Sequence, residues 1–276
     1  MPTDLVLVSI GNTRTRIAPV VGGSIEPSRG GVIASTDAEA VAAAIVAAFG
    51  EESTEQRTAM IASVNAPATD RIVAALSAAD VRLLRFGLGA DQTTLPIPIT
   101  HTLDDASTVG QDRLLDALGA FARSNQACVV IDAGTAVTVD FVDGEGTFHG
   151  GVIAPGLRMM LAALHSHTAA LPRVEPTREL MPPAVVEEGQ PASDPFGKTT
   201  AQAMVRGAAG AIRGLVHFSV DQFATFYGAY PRVVATGGDA PLLFENDPLV
   251  EAIVPDLTLI GMLEAAKRLD SLATEE

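Results

Sequence analysis

Apolar and polar positions along this chain switch with short periods, and one arrangement of them occurs twice. Leu5-Val6-Leu7-Val8 is an unbroken apolar run that feeds Ser9-Ile10-Gly11-Asn12-Thr13 and then the alternating Thr15-Arg16-Ile17. About half a chain length later, Val129-Val130-Ile131 feeds Asp132-Ala133-Gly134-Thr135 and then Val137-Thr138-Val139. Both predict strand, glycine turn, strand, because short β-branched runs broken by glycine suit a buried strand and a tight hairpin. A further strand, Val233-Val234-Ala235, runs into Thr236-Gly237-Gly238-Asp239, where paired glycines let a backbone approach a flat ligand. Turn N–H groups beside a threonine hydroxyl can cup a phosphate. Two such hairpins imply a nucleotide held between two half-molecules.

Helices and strands alternate through the rest of the chain, as in a wound α/β sheet. Asp37 to Phe49 predicts an Ala/Val-rich helix capped by Thr36 or Asp37, Ala59 to Val64 a strand, and Thr69 to Ala79 a helix. Thr93 to Ser107, with Pro96 and Pro98, reads as an extended loop. Leu114 to Arg123 places Leu114, Leu118 and Phe121 on one helical face. A boundary near Ser124 to Gln126 divides the chain into domains 1–124 and 125–276. Beyond it come the second hairpin, the Asp143-Gly144-Glu145-Gly146 turn, a strand to Val152, a helix from Gly156 to His167, and a long helix from Thr200 to about Tyr227. The Pro- and Glu-rich stretch from Leu171 to Lys198 reads as a solvated loop.

Composition narrows the function classes. With 276 residues of which 47% are hydrophobic, each half can bury a core. A formal charge of −15 argues against nucleic acid as a partner, since phosphate binding relies on a basic face. No run approaches the roughly 18 uncharged apolar residues of a membrane span. The acidic Asp4 and lack of a basic leader point to a cytosolic rather than a secreted protein. Cys128, the single cysteine, lies in the apolar strand before Asp132 and suits a buried packing role.

Several further motifs fall in a fixed order: Gly110-Gln111-Asp112-Arg113 between the hairpins, Gly150-Gly151-Val152-Ile153-Ala154-Pro155-Gly156 after the second, and Thr168-Ala169-Ala170-Leu171-Pro172. Gly197-Lys198-Thr199-Thr200 then opens an Ala-rich helix, and Pro255-Asp256-Leu257-Thr258-Leu259 comes near the end. Lys198 beside a glycine does not make a P-loop, because the full Gly-x4-Gly-Lys-Ser/Thr pattern and a preceding strand are missing. Taken in order, with the two hairpins and the late Thr-Gly-Gly turn, the series resembles the type III pantothenate kinases of the actin, Hsp70 and sugar-kinase superfamily. The resemblance implies an α/β fold of two ribonuclease H-like domains with a nucleotide cleft between them. It also implies ATP-dependent phosphorylation of pantothenate to 4′-phosphopantothenate, the first step of coenzyme A synthesis, by a homodimer with magnesium and a monovalent cation, potassium or ammonium.

From spacing alone, Asp112 and Arg113 read as a helix-capping carboxylate beside a surface arginine. The resemblance instead makes Asp112 the base at the substrate hydroxyl, and Gly110, Arg113, His167 and Thr200 partners of pantothenate. Gly11, Asn12 and Thr13, Gly134 and Thr135, and Gly237 and Gly238 would hold the nucleotide. Asp132, at the end of a buried strand, needs a cation or donor nearby, and the resemblance makes it a ligand of the monovalent cation. A structural carboxylate capping its own turn is the other reading. His165-Ser166-His167 reads as a helix end rather than a metal site, and His101, His149 and His217 as surface or packing residues. Ser9 departs from the family, which has Asp-x-Gly-Asn-Thr with the Asp facing magnesium; a hydroxyl is a poor substitute for hard anionic oxygen. Gln111 and Ile260 are smaller departures. Three readings follow: an active kinase, a weakened homologue that binds nucleotide or pantothenate as a regulatory protein, and a kinase for another alcohol.

Overall fold

The computed structural model describes residues 4–26, 29–50, 56–87, 93–182 and 194–275. They divide into two units, residues 1–123 with 257–276, and residues 124–256. In the first unit, strand β1 (Leu5–Ile10) is apolar except at Ser9, because both of its faces are covered. Val6, Val8 and Ile10 pack with Val41 and Ile45 of helix α1 (Ala38–Ala48) and Ile72 of α2 (Ala66–Ala75). Leu5 and Leu7 point the other way, into a cluster with Leu115 and Leu118 of α3 (Gln111–Ser124).

The sheet built on β1 runs β3 (Ser24–Ile25), β2 (Arg14–Val21), β1, β5 (Thr58–Ser63), β6 (Arg82–Phe86), β7 (Thr94–Leu95), with β4 (Gly31–Ala34) also paired to β2. β1 and β2 form an antiparallel hairpin, and β1, β5, β6 and β7 are parallel neighbours. Asp37 caps α1, accepting a hydrogen bond from Ala40 N at 3.1 Å. Helix α2 begins three residues before the predicted Thr69. Asn65 Oδ1 accepts from Ala68 N at 3.1 Å, and Pro67 lies in the first turn, where its missing N–H breaks no helical bond.

The second unit repeats the scheme. β8 (Cys128–Ala133) and β9 (Ala136–Val142) form the hairpin, β10 (Phe148–Pro155) extends it antiparallel, and β11 (Arg232–Thr236) and β12 (Ala252–Ile253) continue the sheet in parallel on the other side of β8. Its core joins Val129, Ile131 and Val139 to Leu157 and Leu161 of α4 (Leu157–Ser166), to Val205, Ala209 and Ile212 of α5 (Thr200–Tyr227), and to Leu243 of α6 (Ala240–Phe244). The long helix thus spans the predicted range, with Ala208 and Ala209 in the core and Ala203 and Ala211 exposed. Cys128 is buried, and that burial pushes its thiol up to about 12, as fits an inert packing residue.

One expectation is corrected. The sequence places residues 125–276 together, yet the last helix, α7 (Leu257–Glu275), belongs to the first unit. Its apolar face, Leu259, Met262 and Leu263, completes the cluster around Leu7, Leu115 and Leu118. Residues 183–193 of the Pro- and Glu-rich stretch lie outside the described residues. Among the described residues no helix is long and apolar enough to cross a membrane.

Candidate active site

The first hairpin turn is set by backbone bonds and by two side chains from elsewhere in its unit. Gly11 N donates to Arg14 O at 3.0 Å, closing the turn that presents Asn12 and Thr13 to solvent. Ser35 Oγ donates to Gly11 O at 2.8 Å, and Ser35 N to Thr13 O at 3.0 Å. Asn65 Nδ2 reaches the carbonyls of Gly11 and Asn12, each at 3.5 Å. Ser9 lies half-buried on β1, in register with Arg16 of β2 and Ala62 of β5.

The end of β5 links this turn to the start of α3. Val64 N donates to Ile10 O at 3.2 Å, and Ser63 N donates to Gln111 Oε1 at 3.3 Å. Gln111, an odd residue in the motif, is therefore an acceptor for a strand end. Helix α3 starts at Gln111, three residues before the predicted Leu114, so Asp112 stands in its first turn. The Asp112 carboxylate accepts from Arg113 N at 2.8 Å, and Gly110 lies tight against it, since a Cβ there would fall 2.5 Å from Asp112 Oδ1. Burial lifts the Asp112 carboxyl above its ordinary range; the hydrogen bond and charge of Arg113 oppose this without cancelling it. Gly110, Asp112 and Arg113 thus neighbour the first turn, joined to it through residues 63–65.

In the second unit the two glycine turns converge. Thr236 at the end of β11 is in register with Asp132 at the end of β8. Gly134 N closes its own turn onto Ala136 O at 2.9 Å, and Gly156 N donates to Thr135 O at 3.0 Å. Gly237 has φ +93°, and a Cβ on it would lie 2.4 Å from both Ala133 O and Asp132 Oδ1, so only glycine fits beside that carboxylate. Asp239 N donates to Ala133 O at 2.9 Å, and Arg158 Nε reaches the nearly buried Asp239 carboxylate at 3.3 Å. Asp132, Gly134, Thr135, Gly237 and Gly238 are brought together here.

Thr200 and His167 stand exposed at helix ends. Thr199, one residue before Thr200, caps α5 by accepting from Gln202 N at 3.2 Å, while Gln202 Oε1 accepts from Lys198 N at 2.8 Å. His167 ends α4 and is exposed, and Thr168 Oγ1 donates back to Leu164 O at 2.7 Å. Two histidines do more than the sequence suggests: His149 Nε2 meets Asp143 at 2.8 Å, and His217 meets Asp247 at 3.4 Å. Sequence reasoning gave no role to Ser35, Asn65 or Arg158, which act on the turns from a distance. Among the described residues, no group of three or more His, Cys, Asp or Glu side chains is placed to hold a metal.

A family model described as type III pantothenate kinase matches residues 5–222. The chain belongs to the type III pantothenate kinase family. Within that family, a relative from Rubrobacter xylanophilus is 33% identical over 267 residues, which cover 94% of this chain and 95% of the relative. Type III pantothenate kinases of Paracoccus denitrificans and Akkermansia muciniphila are 39% and 40% identical over 60% and 57% of this chain. Those matches span 59% and 60% of the two relatives' own lengths. Among solved structures, a Baf family protein of Campylobacter jejuni aligns with a TM-score of 0.56 at 17% identity, over 96% of this chain and 99% of that one. An archaeal actin homolog aligns with a TM-score of 0.50 at 13% identity, over 96% and 99%. At such identities these likenesses establish the fold alone, one shared with an archaeal actin homolog.

Proposed function

We propose that this protein transfers the γ-phosphoryl group of ATP to the primary alcohol of pantothenate, giving 4′-phosphopantothenate and ADP, the first step of coenzyme A synthesis. The observation that carries the reading is Asp112, a half-buried carboxylate raised above its ordinary range by burial at the start of α3, joined through residues 63–65 to the first glycine turn. Phosphoryl transfer asks little covalent chemistry of a protein; it needs the phosphates held, the alcohol oriented and its proton accepted. In this reading Asp112 takes the hydroxyl proton as the alcohol oxygen attacks the γ-phosphorus and the bond to the ADP oxygen breaks. Arg113, with Gly110, Thr200 and His167, binds pantothenate, and the arginine's fork suits its carboxylate. The turns at Gly11-Asn12-Thr13 and Gly134-Thr135 take the phosphates, and Gly237-Gly238 takes the adenosine.

Cations divide into two cases. Asp132 is a half-buried carboxylate beside two glycine turns, a donor that fits a single monovalent ion, which would screen phosphate charge. Ser9 offers a neutral hydroxyl where the family has a carboxylate, so this position supplies no anionic ligand for magnesium, and that ion would arrive on the nucleotide's phosphates. The weakened-homologue reading rests on Ser9 alone and is not favoured by the relatives. A homodimer is part of the proposal too. The exposed small residues Gly207, Gly210 and Gly214 on α5 leave room for close approach of a second copy, and a solution mass of one 28.5 kDa chain would remove that part.

The deciding experiment incubates the protein with pantothenate and magnesium ATP in potassium and in sodium, and looks for phosphopantothenate by mass. Product forms faster in potassium, and Asp132→Asn removes the difference between the salts. ATP consumed with no phosphopantothenate in either salt would overturn the substrate. Equal rates in both salts for the unmodified protein would remove the ion from Asp132.

Ser9→Asp provides a second measurement. A carboxylate at the mouth of the first turn lowers the magnesium concentration that gives half-maximal rate. Superimposable magnesium titrations of the two proteins would show that this position does not face the metal.

A further inference from the structure

We propose that Ser35 and Asn65 are positioning residues for the nucleotide's phosphates: they hold the carbonyls of the first glycine turn inward, so that the turn offers N–H groups to an anion. The proposal rests on the reading of that turn as a phosphate loop. Four consecutive carbonyls, from Gly11 to Arg14, accept hydrogen bonds from within the unit. Gly11 O accepts from Ser35 Oγ at 2.8 Å and Asn65 Nδ2 at 3.5 Å, Asn12 O from Asn65 Nδ2 at 3.5 Å, Thr13 O from Ser35 N at 3.0 Å, and Arg14 O from Gly11 N at 3.0 Å. A backbone carbonyl turned toward a phosphate repels it, whereas consecutive N–H groups make an anion-binding concavity. Fixing every carbonyl of the turn therefore selects the binding arrangement before the ligand arrives.

Each clasp residue is itself held. Ser35 and Thr15 are buried, 1% and 0% exposed, with their hydroxyl oxygens 3.0 Å apart. Since the Ser35 proton goes to Gly11 O, Thr15 supplies the proton between the two hydroxyls. Asn65 is oriented by its capping role, because its Oδ1 accepts from Ala68 N and its amide nitrogen must then face the turn. The longer Asn65 contacts make it the weaker half of the clasp.

Asn65→Asp separates the clasp from the cap. It keeps the oxygen that caps α2 but replaces the amide donor by an anionic oxygen facing the carbonyls of Gly11 and Asn12. Ser35→Ala removes the strong bond, and Ser35→Thr keeps a hydroxyl as the conservative rescue. ADP affinity is measured by calorimetry, together with KM for ATP, KM for pantothenate and the melting temperature. Ser35→Ala and Asn65→Asp weaken ADP roughly tenfold and raise KM for ATP, leaving KM for pantothenate unchanged, while Ser35→Thr stays near wild type. Unchanged ADP affinity in the first two variants would overturn the clasp. So would a joint rise of both KM values with a fall in melting temperature, which would mark a merely structural role. If the wild type binds ADP but yields no phosphopantothenate, the functional reading fails and the ADP comparison still decides the clasp. A wild type that does not bind ADP overturns both.

Discussion

Asp112→Asn lowers turnover by roughly 100- to 10,000-fold, the usual contribution of a positioned general base, and at the same time raises the melting temperature at neutral pH. The two effects have one origin. Burial lifts the Asp112 carboxyl above its ordinary range, so the folded protein holds the proton more tightly than the unfolded chain does. The fold therefore carries no penalty below the unfolded value near 3.8; the penalty grows as pH rises through the folded pKa and is complete above it. Asparagine cannot ionise, and its carbonyl oxygen can still accept from Arg113 N, so the variant keeps the local hydrogen bond and loses the buried charge. Its stability advantage should be absent at pH 3, develop across the acidic range and stay constant near neutrality. Rates of ADP release and thermal melts from pH 3 to 8 check both halves. Turnover within a few fold of wild type would remove Asp112 from the base role, and a lower melting temperature at pH 7 would show that burial is not what sets its proton affinity.

The parts of the fold that were legible in the sequence are those in which neighbours along the chain carry the whole signal. Leu5 to Ile17 and Val129 to Val139 are hairpins by local pattern alone, and Thr200 opens α5 after a glycine and a capping threonine. What escaped depends on distant partners. The start of α2 is the exception, set locally by the Asn65 cap with Pro67 in the first turn. Strands β3 and β4 are short, partly exposed pieces paired to β2, too brief for an alternation to register.

The candidate site divides in the same way. Its glycine turns and the Gly-x-Asp-Arg motif are contiguous and stand out. The residues that aim them do not: Ser35 and Asn65 lie 24 and 54 residues from Gly11, and Arg158 lies 81 residues from Asp239. Nothing in the composition of those segments marks one serine or asparagine above another. Gln111 shows the reverse case, a visible departure whose reason, the amide of Ser63 on a strand 48 residues earlier, needs the fold.

Gly261→Ala destabilises the first unit, against the ordinary rule for a helix interior, where alanine is favoured over glycine by about 1 kcal/mol. The sequence gives no hint of this, because a glycine within Leu257–Glu275 reads as a weak point of the helix. In the structure α7 crosses α3 at this glycine: an added Cβ would lie 1.9 Å from Leu115 O and 2.6 Å from Leu115 C, and a Cβ on the facing Gly119 would lie 2.9 Å from Gly261 N. These neighbours are backbone atoms, so no rotamer change can relieve the overlap and the helices must separate. Separation strains the 2.7 Å bond from Thr258 Oγ1 to the buried Asp116 and opens the contacts of Leu115 and Leu118 with Met262 and Leu263. Overpacking of this kind costs about 3 kcal/mol, which for a unit of this size lowers the melting temperature by roughly 6 to 12 °C. Helix α3 also carries Asp112 in its first turn, so turnover should fall even where the variant is folded. Thermal melts of the variant beside wild type decide the matter: a Gly261→Ala protein that melts with or above wild type would mean that α3 and α7 do not cross in backbone contact.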